Sequence, residues 1–156
     1  MGRPIDARGW AFEVEDITTP ATPVWHRIGN VNSWSYSPSE NEETADTTTN
    51  DSEGAYEQDV MQRGATLEVT GLWSQTGTVR DPGQEYIDDV WAWRLGSESR
   101  NRVRYRHKSQ SKWTIWEATV TPGEQGGEHN AKVGWGATFT RCGLPTTADV
   151  VTEPEA

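Results

Sequence analysis

Cysteine occurs once, at Cys142, and long apolar runs do not occur at all. A single thiol excludes an internal disulfide and a paired-cysteine metal knuckle. Without 18 successive apolar residues, no segment reads as a bilayer-spanning helix. The opening stretch, MGRPIDARGW, holds no apolar core of the kind that begins a secretory signal, so a soluble domain made inside the cell is expected. Aliphatic residues are scarce as well: 4 Leu, 5 Ile, 12 Val and 2 Phe in 156 residues. Combined with a net charge of −10, such a composition usually marks disorder. An excess of positive charge is also missing, which argues against general nucleic-acid binding, because phosphates would be repelled at long range.

What the chain has instead is tryptophan, nine of them. Each buries on the order of 150–250 Å² when packed, so Trp supplies much of the core that Leu does not. Trp10, Trp73, Trp113 and Trp135 fall on the apolar side of alternating segments, and Trp91 falls on a helical stripe. These five read as core. Trp25, Trp34, Trp93 and Trp116 are less determined and are free to face a partner, since aromatic side chains are enriched at interfaces.

Most of the chain reads as β-strand. WAFEVEDI (10–17) alternates, with Trp10, Phe12 and Val14 on one face and Glu13 and Glu15 on the other. Residues 24–31 and 32–37 form a strand pair or one bent strand around Gly29-Asn30. Further strands are expected over 64–73, 100–107, 112–120 and 131–140, with a hairpin connection at 122–130. The one helix signal begins at Asp81 as N-cap, with Pro82 at N1, Gln84 completing a capping box, and a stop at Gly96. Tyr86, Ile87, Val90 and Trp91 make its apolar stripe, which Trp93 can extend, and Asp88 and Asp89 fall on the solvent side. The expected fold is mainly β: an antiparallel β-sandwich or barrel of about seven strands with one flanking helix. Residues 1–9 form an N-terminal arm, 10–142 the domain, and 143–156 a C-terminal arm.

Catalytic patterns are thin. His26, His107 and His129 follow no metal spacing, and HExxH, GxSxG and P-loop motifs are missing. Asp46, Asn50, Asp51 and Glu53 do not keep the spacing of a calcium loop. No enzyme, cofactor or metal is expected. A carbohydrate-binding β-sandwich is the alternative that the tryptophans suggest.

Charge is divided unevenly along the chain. Residues 37–62 carry eight acids, Glu40, Glu42, Glu43, Asp46, Asp51, Glu53, Glu57 and Asp59, without one Lys or Arg. So long a polar stretch reads as a loop that is functional or is ordered only by a partner. In contrast, Arg100, Arg102, Arg104 and Arg106 alternate through RNRVRYRH and share one strand face, roughly 7 Å apart. That row reads as a solvated edge strand, a nucleic-acid contact or a charge-paired subunit contact. Opposite blocks in one chain favour the last, because identical copies can pair them in trans.

The order of parts resembles the major tail tube protein of long-tailed bacteriophages. The resemblance rests on WxxIGNV (25–31), DTTTNDSEG (46–54), GATLEVTG (64–71), a DPGQ helix start (81–84) and a Gly-Gly hairpin at 126–127, and covers roughly residues 10–142. It implies a structural protein of the virion tail, made in the host cytoplasm, with another ring-forming tail or secretion-tube component as the alternative within that class. Such proteins form hexameric rings that stack around a tape-measure protein, meet a tail terminator and baseplate or distal tail proteins, and pass DNA in transit. It further implies that loop 37–62 reaches a neighbouring copy, with Asp46, Thr47, Thr48, Asp51, Ser52 and Gly54 at the centre of the contact. The Arg100–Arg106 face is then expected to meet the acidic loop of another subunit, away from the channel.

Overall fold

The computed structural model describes residues 2–150. Met1 and residues 151–156 belong to the two expected arms and lie outside the described residues. The strands are β1 (Trp10–Asp16), β2 (Val24–Arg27), β3 (Val31–Asp46), β4 (Gln58–Leu72), β5 (Gln75–Thr76), β6 (Val79–Arg80), β7 (Asn101–His107), β8 (Lys112–Pro122), β9 (Gly134–Arg141) and β10 (Thr146–Asp149). Helix α1 spans Pro82–Asp89. Eight strands form one antiparallel sheet in the order β2-β1-β7-β8-β9-β4-β3, and β10 pairs with β8. The short β5 and β6 pair with each other. The fold is the expected mainly antiparallel β architecture with one helix.

Alternation explains which way each strand faces. Phe12 and Val14 of β1, Val103 of β7, Trp116 and Ala118 of β8, Leu67 and Val69 of β4, and Trp135, Ala137 and Phe139 of β9 are all buried in one core. The sheet curls so that its far strand returns over its first ones. Trp34 of β3 lies 5.0 Å from Trp10 and 5.8 Å from Phe12, and Tyr36 lies 5.7 Å from Trp116. The curl gives the sandwich its two layers without a second large sheet. Four register shifts between β3 and β4 add the local twist that such a curl requires.

The helix seats against β1, β2 and β8. Asp81 caps it, accepting from Gln84 N at 3.2 Å and also from Gly29 N at 3.1 Å. Gln84 does not complete a capping box. Its side chain is fully buried and turned inward, donating to Gly29 O and Leu72 O and accepting from Ser74 N. Backbone groups of Gly29, Ser74 and the last residue of β4, Leu72, are thereby bonded. The helix also stops at Asp89, well before Gly96, and the chain continues as two 3₁₀ turns, Trp91–Trp93 and Gly96–Ser99. Asp88 is not on the solvent side: it accepts from Arg80, from Trp135 Nε1 at 2.9 Å and from Gln125 Nε2 at 2.9 Å. Gly83 has no room for a side chain, because a Cβ there would stand 2.5 Å from Arg27 O.

Two expectations about chain segments change. Residues 37–62 are not a loop for most of their length, since β3 and β4 carry paired strand out to Asp46 and Gln58. Part of the C-terminal arm is strand as well. Beyond β9, Cys142 N donates to Glu117 O at 2.7 Å and β10 then pairs with Lys112–Ile115. β9 and β10 thus run end to end along one edge of β8, while β7 occupies the other.

Candidate functional site: an acidic hairpin and an arginine face

β4 pairs with β9 only from Thr66 to Leu72. Outward from Gly64 the β3–β4 pair has no other neighbouring strand, so about eight residues on each side project as a two-stranded arm of roughly 25 Å. Neither face of this arm packs on the chain, which is why its sequence lacks the alternation of a half-buried strand. Nearly every residue from Pro38 to Arg63 is exposed, including Tyr56 (67%), Val60 (46%) and Met61 (67%).

The DTTTNDSEG motif closes the arm as an ordered tip. Asp46 Oδ1 accepts from Thr48 N at 2.9 Å, and Thr47 N donates to Glu57 O at 3.0 Å. Thr48 Oγ1 accepts from Glu57 N at 2.9 Å. Thr49 caps the 3₁₀ turn Asn50–Ser52, and Ser52 Oγ in turn accepts from Thr49 N and donates to Glu57 Oε2 at 2.8 Å. Gly54, at φ 85°, takes the left-handed conformation that completes the turn. Donation from Thr48 to the Asp46 carboxylate holds its pKa below the ordinary 3.8. Glu42 pairs with Arg63 at 3.1 Å. Among the described residues Glu40, Glu43, Asp46, Asp51, Glu53 and Asp59 form no ion pair.

The arginines occupy the opposite side of the sheet from the core. β7 lies between β1 and β8, so it is not an edge strand. Arg102 Nη1 pairs with Glu15 Oε2 at 3.0 Å, and Arg104 Nη2 with Glu13 Oε1 at 2.9 Å. Arg104 also lies between two indoles, 4.2 Å from the centroids of both Trp25 and Trp113. Arg106 stands 5.1 Å from Trp113 and donates to Gln110 O at 2.9 Å. Arg100 precedes β7 and is exposed. The row is therefore a ladder of alternating Arg and Trp whose inner charges are already met by β1. Beside it lies a groove of about 760 Å³ between Trp25 and Trp113. Among the described residues no hydrogen bond or ion pair joins this face to the arm of the same chain.

The remaining tryptophans divide differently from the sequence reading. Trp116 is fully buried, and Trp113 is buried beneath the arginines rather than in the main core. Trp25 belongs to the ladder and Trp34 packs on Trp10, leaving Trp93 outside at 78% exposure. Trp93, one of the tryptophans free to face a partner, does project from the turn after the helix, and sequence reasoning missed that Leu95 projects beside it. The WAWRL run (91–95) held the signal, because the helix ends at Asp89 and the stripe that Trp91 continues has no place for the second tryptophan.

No protein-family model matches the sequence, and no curated protein is significantly similar to it. Solved structures do match. A chain of the tail of an empty gene transfer agent particle, refined with C6 symmetry, superposes with a TM-score of 0.65 at 13% identity, covering 93% of this chain and 99% of that one. The two chains share a fold. A chain of the native gene transfer agent virion gives a TM-score of 0.63 at 14% identity with the same coverage. At these identities the likeness is one of architecture.

Proposed function

We propose that this chain is the self-assembling structural subunit of a phage-like tail tube, stacked as hexameric rings in a virion tail, and that it performs no catalysis. One observation carries the proposal: an ordered arm of roughly 25 Å projects from the sheet with nothing in its own chain to pack on. A small domain gains nothing from such an extension unless another molecule covers it, and exposed Tyr56, Val60 and Met61 are costly in water. The structural likeness to a chain of a C6-symmetric tail supports a second copy as that molecule. In this reading the arm contacts a neighbouring subunit through Glu40, Glu43, Asp46, Thr47, Thr48, Asp51, Ser52 and Gly54, while Arg63 holds Glu42 in place. Of the arginine row, Arg100 and the outer side of Arg106 are the members free to meet an acidic neighbour; Arg102 and Arg104 chiefly fasten β7 to β1. The partners are further copies of the chain, a tape-measure protein, and the terminator and distal proteins that close the tube.

DNA in transit fits one face of the sheet. Where β8, β9, β4 and β3 run side by side, the residues facing away from the core include Ser33, Ser35, Thr66, Thr138 and Thr140, with Glu68 as the charge among them. This patch of hydroxyls holds no Lys or Arg and does not retain phosphates; the arginine row continues the same side of the sheet onto β7, where Arg102 and Arg104 are already paired with Glu15 and Glu13. We assign the hydroxyl patch to the channel wall.

The tip provides the test. Asp46 pairs with Gln58 across the arm, so residues 47–57 can be replaced by Asn-Gly in a two-residue turn. The shortened chain is expected to unfold at the same temperature as the parent yet to stay monomeric in sedimentation at concentrations where the parent assembles. Equal assembly of both would remove the tip, with Thr47, Thr48, Asp51, Ser52 and Gly54, from the contact. Carbohydrate binding is not favoured, since Trp93 is the one tryptophan that stands clear of the fold.

A further inference from the structure

We propose that residues 151–156, VTEPEA, dock on the groove between Trp25 and Trp113 of their own chain, bringing Glu153 and Glu155 to Arg106. The contact belongs to the single subunit and does not rest on the tube reading.

The groove crosses the outer face of the sheet. Trp25 comes from β2, Glu13 from β1, Arg104 and Arg106 from β7, and Trp113 from β8, with Val150 at the end of β10 closing the far side. Its volume of about 760 Å³ lies within the range of roughly 300–1,000 Å³ that holds a bound organic group. Two guanidinium groups and one carboxylate line it. Arg104 and Glu13 pair at 2.9 Å and answer each other. Arg106 is left over. Among the described residues it makes no ion pair, its Nη1 donates only to backbone carbonyls of the 107–110 turn, and its Nη2 makes no hydrogen bond. It is half-buried and stands 5.1 Å from the Trp113 ring, where a carboxylate is worth more to it than in open water.

The other charges around the groove do not supply that carboxylate. Glu15 is taken by Arg102 at 3.0 Å. Glu117 stands opposite Arg102, further along β8. Asp149 stands opposite Lys112, and alternation turns it to the other face from Ala148 and Val150. Arg27, opposite Glu13 on β2, adds positive charge to the border. An acidic occupant is therefore the one that fits.

The chain delivers such an occupant at this point. Val150 N donates to Ser111 O at 3.1 Å, and β8 begins only at Lys112, so β10 has reached the end of its partner. The next residues have no further ladder on β8 to follow, and Val150 is already a wall of the groove. They carry two carboxylates and no Lys or Arg. β7 lies two strand spacings from β10, roughly 10 Å. Three residues of extended chain span about that distance, so Glu153 reaches Arg106 and Glu155 has length to spare. Pro154 limits the backbone freedom lost on docking. A segment tethered this closely acts at an effective concentration in the millimolar range, which favours it over the same segment of a second copy. An acidic neighbour reaches the outer side of Arg106 only by displacing it.

A carbodiimide, which joins a carboxylate to an amine without a spacer, tests this in Arg106→Lys. Unlabelled chains and chains labelled with heavy nitrogen are mixed equally before reaction. Glu153 or Glu155 is expected to link to the introduced amine, with both halves of each linked peptide carrying the same isotope. Arg100→Lys, in the same row but outside the groove, is expected to give roughly tenfold fewer links, because the tether does not concentrate the segment there. Links no more frequent in Arg106→Lys than in Arg100→Lys would overturn the proposal. Linked pairs of mixed isotope in statistical proportion would put a second copy in the groove and also overturn it. Should Arg106→Lys not fold, the parent is compared by NMR with Glu153→Gln, Glu155→Gln. The indole N–H signals of Trp25 and Trp113 are expected to shift while those of buried Trp91 and Trp135 stay. Unchanged Trp25 and Trp113 signals would overturn the proposal.

Discussion

Arg104 stands 4.2 Å from the centroids of Trp25 and Trp113 while its guanidinium meets Glu13 at 2.9 Å. Each of these contacts is modest, with a cation–π contact worth about 0.5–2 kcal/mol, yet together they join β1, β2, β7 and β8 through one side chain. Arg104→Met keeps the aliphatic stem, removes the charge and leaves Glu13 unpaired beneath two indoles. We expect a loss of about 1–3 kcal/mol in urea unfolding, and a change below about 0.5 kcal/mol for exposed Arg100→Met. Gly83→Ala should cost about 1–3 kcal/mol, since its methyl group would press on Arg27 O. The arginine spacing was plain in the sequence, but its meaning was not. Glu13 and Glu15 lie some ninety positions away, and only the β1–β7 register sets them against the row. Trp116 was undetermined for a similar reason: a strand buried on both faces shows no alternation to read.

At the scale of elements, the strands of the core were legible because one face is apolar and the other polar. The arm was not, because alternation records burial and the arm is buried against nothing in this chain. Its tip carried a readable signal, though, in the Asx and threonine turns of DTTTNDSEG. The helix was found by its cap and misjudged at its end, since Trp91 continues the apolar stripe into a 3₁₀ turn. The tip also has a defined pH dependence. Bonds from Thr48 depress the Asp46 pKa, so its carboxylate stabilises the turn at all pH values above the ordinary 3.8. That contribution fades as the pH falls through the lower folded value. Protection of the Thr48 amide, its exchange rate taken relative to that of an unstructured peptide at the same pH, should be present at pH 5 and fall as the pH is taken below 3.8, while protection of core amides such as Val69 changes less. In Asp46→Asn, protection at Thr48 should lose this pH step.

For the whole molecule, the scarcity of aliphatic residues and the net charge of −10 have separate physical origins. Tryptophan fills a small core, and the acidic excess is concentrated on an arm outside it. Such a chain keeps a stable centre and presents polar and apolar extensions that only neighbours can cover. In the proposed tube, the hydroxyl face of β8, β9, β4 and β3 would line the route for DNA. Glu68→Arg places one guanidinium per subunit on that face, or six in a ring of six. The account predicts that assembled tubes of Glu68→Arg bind DNA with a steep salt dependence, whereas parental tubes do not.

The central claim is that the projecting arm and the folded domain together build a sixfold tube from this chain alone or with its tape measure. Electron microscopy of the full-length protein, concentrated with and without a tape-measure protein, examines it most directly. The account predicts stacked rings with sixfold symmetry in which the β3–β4 arm of each subunit lies against a neighbour. Single particles of one domain under both conditions, with the arm free in solvent, would contradict it.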